Sequence, residues 1–159
     1  MIKIISGPIQ SGKTTRLTAW VKYHQGCRGI LSPVINNQRY IYSIEADKYR
    51  CLEAGNDNSS DQKIITIGRY NFLESTFVWA REQLQIAAEK ESEWLIIDEI
   101  GPLELSGKGL EPQVGSIVSA ALQSEKSNLI LVVRDSLMEK VVDFYHLKGR
   151  YKTDDEIMI

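Results

Sequence analysis

The sequence predicts an α/β fold with a mainly parallel central sheet, helices on both faces and an added β-hairpin. Three observations predict it. Strand-like and helix-like segments alternate with short links. Residues 94–97 and 129–133 are wholly apolar runs, as expected of central strands buried on both faces. A glycine-bounded loop joins the first strand to the first helix, at the carboxyl end where open parallel sheets bind ligands.

The elements follow in order. Residues 2–6 are a short apolar strand ending at Gly7-Pro8. Leu17, Trp20, Val21 and His24 recur at helical spacing, so residues 13–24 read as a helix packing one face on the sheet, with Gly26 as its stop. Residues 29–35 form a second strand broken by Pro33, which argues for an edge or a strand end. Residues 39–44 and 49–52 are β-prone and joined by a polar link, hence a hairpin. Residues 55–62 are polar and read as a flexible loop, and residues 63–67 as another strand. Leu73, Phe77, Ala80, Leu84 and Ala87 mark one face of a helix over residues 71–90.

After the apolar strand at 94–97, Val114, Ile117, Val118, Ala121 and Leu122 mark a further helix with Pro112 in its first turn. The strand at 129–133 precedes Ser136-Leu-Met-Glu139, which has capping-box form for a helix through Tyr145.

The chain of 159 residues has single-domain length, and its 43% apolar and 25% charged content is ordinary for a globular protein. A net charge of −2 exerts no overall pull on nucleic acid or an anionic membrane, so neither is expected as a partner. No apolar run approaches the ~18–20 residues that cross a bilayer, and the N-terminal residues do not read as a secretory leader. The expected compartment is the cytoplasm, with Cys27 and Cys51 as reduced, partly buried thiols. No protein partner is legible.

Gly7, Pro8, Ile9, Gln10, Ser11, Gly12, Lys13 and Thr14 match G-x-x-x-x-G-K-[ST] without a mismatch. The glycines let successive backbone N–H groups turn inward toward phosphate oxygens. Lys13 brings a mobile charge to the β- and γ-phosphates, Thr14 offers a hydroxyl to Mg2+, and the helix adds its positive end. Thr15 extends the same binding segment.

The apolar run at 94–97 ends in Asp98-Glu99. An acid at the tip of a neighbouring central strand would lie beside Thr14 and hold the metal, which assigns Asp98 as metal partner. Glu99, one residue on, would face the γ-phosphate and orient or deprotonate water. A base for water favours hydrolysis over transfer.

With both motifs in place, the chain resembles the nucleoside-triphosphatase family first described from thermophiles, a RecA/AAA-like branch of the P-loop NTPases. The matching text is GPIQSGKTT, Arg28-Gly-Ile-Leu-Ser-Pro33, WLIIDEIGPLEL and LVVRDSL, with DEIGPLEL the most specific piece. The resemblance implies a three-layer P-loop NTPase fold. It also implies Mg2+-dependent hydrolysis of ATP, GTP or other nucleoside triphosphates.

Further candidates carry weaker signals. Arg134, after the strand at 129–133, either contacts the γ-phosphate as an arginine finger does or pairs with a rim acid such as Asp135 or Glu104. Arg69 is a second rim candidate. Glu104 reads as a solvated acid that could instead tie down its loop. Tyr40, Tyr42 and Tyr49 read as cross-strand partners, with base stacking as the alternative. His24 and His146 have no Cys/His constellation around them for a metal site. Two other functions stay open: a small-molecule or nucleoside kinase with its acceptor site at the hairpin and residues 28–33, and a nucleotide-controlled switch with residues 101–109 as its mobile element.

Overall fold

In the computed structural model, which describes residues 1–55 and 62–153, Ile2–Gly7 forms β1 and Lys13–Tyr23 forms α1. The second predicted strand is split at Pro33 into β2 (Cys27–Leu31) and β3 (Val34–Ile35). Pro33 therefore marks a strand end and not an edge, because β2 is paired on both sides. The expected hairpin forms from β4 (Gln38–Ser43) and β5 (Lys48–Cys51), with Tyr42 opposite Tyr49. Residues 56–61 of the predicted polar loop lie outside the described residues.

The next segment departs from expectation. β6 (Ile64–Ile67) pairs with β7 (Tyr70–Leu73) in a separate two-stranded ribbon, off the main sheet. The helix α2 consequently spans Glu74–Ala88, and not from residue 71. Gly68, at φ +56°, makes the tight turn that folds Tyr70, Asn71 and Phe72 back as a strand. Thr66 and Asn71 face each other there and share a 2.8 Å hydrogen bond.

β8 (Trp94–Ile100) is followed by α3 (Pro102–Leu105) and α4 (Gln113–Gln123), then β9 (Leu129–Arg134), α5 (Met138–Phe144) and β10 (Lys152–Thr153). Residues 135–137 form a single 3-10 turn, so Ser136 does not cap α5 as predicted. Its own N–H is taken locally by Asp135 Oδ1 at 2.8 Å.

The main sheet runs β10-β1-β9-β8-β2-β4-β3, with β5 on β4. β10 to β2 are mutually parallel, and the hairpin side is antiparallel. β8, which carries the expected metal partner Asp98, is thus not the neighbour of β1: β9 stands between them. This corrects the expected adjacency, since equally apolar strands carry no mark of their order.

Successive residues of the central strands feed two cores, as period-2 geometry requires. Ile4, Ile97 and Leu131 join Phe77, Ala80 and Leu84 of α2 and Val114 and Val118 of α4 on one face. Ile5, Ile96 and Ile130 pack with Leu17 of α1 on the other. At the β2–β8 seam Gly29 has φ +111°, and an added Cβ would come within 2.1 Å of the Ile96 carbonyl oxygen. Among the described residues no helix is long and apolar enough to cross a membrane.

Candidate active site

The loop between β1 and α1 closes on its own hydrogen bonds. Ser11 N–H donates to the Pro8 carbonyl at 3.2 Å, and Gly12 takes a left-handed φ of +82° at the start of α1. Lys13 is almost fully buried and folds back, its Nζ donating to the carbonyls of Gly7 (2.9 Å) and Pro8 (2.7 Å). It also lies 3.4 Å from Ser11 Oγ. The N-cap of α1 has no side-chain partner, which leaves its first N–H groups available to an anion.

Asp98, at the end of β8, is 1% exposed. Its Oδ2 accepts from the Ser32 backbone N–H at 3.2 Å, while Oδ1 is buried with no hydrogen-bond partner among the described residues. Burial pushes its pKa up to about 6, against the lowering influence of the Thr14 hydroxyl and the Ser32 N–H. A buried carboxylate oxygen without a partner costs ~1–3 kcal/mol or more. Placed beside a threonine hydroxyl, it is the donor set that a hard divalent cation such as Mg2+ fits.

Glu99 owes its direction to a bulge: Asp98 pairs with Val132 and Ile100 with Val133, so Glu99 is the extra residue of β8. Its Oε1 accepts from Arg134 Nε at 2.8 Å, and Arg39 Nη1 lies 3.9 Å from Oε2. Arg134 is thus paired with a rim acid, Glu99 and not Asp135 or Glu104. Arg39 also reaches the Ser32 carbonyl and hydroxyl at 3.4 Å.

A cavity of about 710 Å3 is lined by the loop from Gln10 to Thr15, by Ser32, Arg39 and Glu99, and by Tyr42 and Tyr49 of the hairpin. Lys13, Thr14 and Glu99 thus share one space, with Asp98 buried behind it and Arg134 behind Glu99. Pro8 and Ile9 are exposed and lie outside this lining. Tyr42 and Tyr49 pair across strands, ring centroids 4.5 Å apart, and also face the cavity; Tyr40 does not line it. Arg69 sits in the β6–β7 turn, where Nη2 donates to Tyr70 Oη at 3.0 Å, and is absent from this cavity.

Glu104 is a correction. It is buried, not solvated, and accepts from the N–H groups of Gly101 (2.9 Å) and Leu110 (3.0 Å). Burial pushes its pKa up to about 7 despite those donors. It ties Gly101 and Leu110 together across α3. His24 stacks on Trp20 at 4.0 Å, and no group of three or more His, Cys, Asp or Glu suited to a metal occurs among the described residues. Cys27 and Cys51 are free thiols.

Ser32 and Arg39 fall in segments expected only as a kinase's acceptor site, and neither was singled out beside Asp98 and Glu99. Ser32 follows β2 at the carboxyl rim, so the rim rule could have found it. Arg39 had no such signal.

A family model described as NTPase matches residues 3–152 of the chain. The chain belongs to the NTPase family. It is a nucleoside triphosphatase in that sense, with a nucleotide as substrate. Among solved structures, the NTPase is similar to the crystal structure of THEP1 from the hyperthermophile Aquifex aeolicus. That match has a TM-score of 0.69 and 19% identity over 96% of this chain and 88% of the other. It is also similar to the solution structure of a human cancer-related nucleoside triphosphatase, with a TM-score of 0.62 and 16% identity over 94% of this chain and 85% of the other. At such identities the likeness establishes the shared fold. Among curated proteins none matches the chain.

Proposed function

We propose that this NTPase hydrolyses nucleoside 5′-triphosphates, ATP, GTP or others, to the diphosphate and phosphate in a Mg2+-dependent reaction, with Glu99 activating water. One observation carries the reading: Asp98 presents a buried, unpartnered oxygen beside Thr14, and the next residue, Glu99, opens into the cavity of the loop.

Phosphates bind to the backbone of residues 7–12 and the first turn of α1, with Lys13 leaving its two carbonyls to meet the β- and γ-oxygens. Thr14 and Asp98 would hold Mg2+, which neutralises charge on the transferred phosphoryl group. Arg134 occupies Glu99 Oε1, and Oε2, with Arg39 Nη1 3.9 Å away and outside hydrogen-bond range, takes a proton. The water oxygen bonds to Pγ, the bridging bond to the diphosphate breaks, and the water proton passes to Oε2. Arg134 fixes the orientation of the carboxylate.

A phosphate-release panel across nucleoside triphosphates, with and without Mg2+, tests this on the parent and on Glu99→Gln. The variant retains nucleotide binding and loses ~10²-fold or more in turnover. Equal rates in the two proteins would remove Glu99 from the role of base.

A further inference from the structure

A second cavity of about 390 Å3 is lined by Glu99 and Arg134 but by no residue of the phosphate loop. Ser32, Arg39 and Glu99 line both cavities, while Arg69 and Arg134 line only this one. Its size is at the small end of the ~300–1,000 Å3 typical of small-molecule sites, enough for one ring and a head group.

Two chemistries meet on its walls. Tyr70 and Phe72 of β7 lie nearly parallel, 5.7 Å apart at 10°, and Phe77 of α2 meets Phe72 edge-on at 6.0 Å. This is an aromatic surface against which another ring can pack. Beside it stand three guanidinium groups, Arg39, Arg69 and Arg134, with Arg69 exposed and 5.1 Å over the Tyr70 ring. Among the described residues the carboxylates that line the cavity are Glu99 and Glu104, and Glu53 acts on Arg69 from outside it. Both oxygens of Glu104 are already engaged by backbone N–H groups, and burial favours its neutral form. Among the described residues that line the cavity, three guanidinium groups thus outnumber the two carboxylates, of which Glu99 is shared with the first cavity and Glu104 is tied up by backbone donors, an excess that favours an anion.

We propose that this cavity is a second ligand site, taking a small planar aromatic molecule with one anionic group, its ring against Tyr70 and Phe72 and its anion on the arginines. Neither the match to the NTPase family nor the hydrolysis reaction requires such a site. Because Arg39 and Glu99 face both cavities, occupancy of one alters the affinity of the other.

Calorimetric titration with phenyl phosphate and with benzoate tests the site, on protein whose phosphate loop is saturated with Mg-ADP. Both probes bind one per chain, whereas inorganic phosphate gives no heat under the same conditions. Tyr70→Leu weakens both probes at least tenfold and Arg69→Ala severalfold. Arg69 is exposed and outside the phosphate-loop cavity, so Arg69→Ala folds and retains hydrolysis without probe. The proposal is overturned by absent binding at millimolar probe, by unchanged affinity in both variants, or by loss of binding once Mg-ADP is present. The titration does not measure turnover, so its failure is separable from any failure of the role given to Glu99.

Discussion

The pairing of Arg134 with Glu99 makes a quantitative claim about how two residues share one task. At 2.8 Å, the bare Coulomb attraction is about 6 kcal/mol at an effective dielectric of 20. The side chains retain 26% and 16% exposure, so desolvation and screening reduce the net stabilisation to about 1–2 kcal/mol. The perturbation is a double-mutant cycle of Arg134→Gln, Glu99→Gln and both together, read by phosphate release and by urea unfolding. If Arg134 acts by holding Glu99, Arg134→Gln lowers turnover by about 10²-fold in the parent and by little in the Glu99→Gln background, because the pair works as a unit. The unfolding arm gives a coupling near 1 kcal/mol. If the two rate losses multiply instead, Arg134 acts on the phosphate independently, and the orienting role is refuted.

Two other substitutions test the scaffold. Glu104 has a folded-state pKa raised from 4.5 to about 7, so its contribution to stability is fully present below pH 4.5 and is lost as pH rises through about 7. The span amounts to at most ~3 kcal/mol. Urea unfolding from pH 4.5 to 8 should show a flatter profile in Glu104→Gln than in the parent, and parallel profiles would contradict this. Gly29→Ala combines a strained positive φ with a Cβ driven to 2.1 Å from the Ile96 carbonyl, so the β2–β8 seam must part. A loss of about 2–5 kcal/mol follows, read as a melting temperature lower by about 10 °C.

The central strands and the phosphate loop were legible because each rests on local information: an apolar run, a glycine spacing, an amphipathic face. β7 was not, since Leu73 and Phe77 are also four apart and fit a helix equally well. The order of strands was hidden for another reason. Residues 2–6, 94–97 and 129–133 are alike in composition, and nothing in them says that β9 separates β1 from β8. Asp98 and Glu99 were read from their position at a strand tip, but the partner of Glu99 depends on a bulge, which sequence spacing does not reveal. Arg39 reaches the site through the antiparallel return of β4 onto β2, where Leu31 meets Tyr42. Such cross-strand register is long-range information. Glu104 had no local signal of burial, because its two backbone partners are brought to it by α3 and the turn that follows.

In the proposed reaction the two carbonyl bonds of Lys13 would set a threshold on what the phosphate loop binds. Its ammonium already has two carbonyl acceptors, so an arriving anion gains only the difference between those bonds and the ones it offers. A lone phosphate gains little from that exchange, whereas a triphosphate with its cation can outbid the loop through several groups at once. In the proposed reaction the lysine would thereby act as a counterweight that sorts anions by how many contacts they bring.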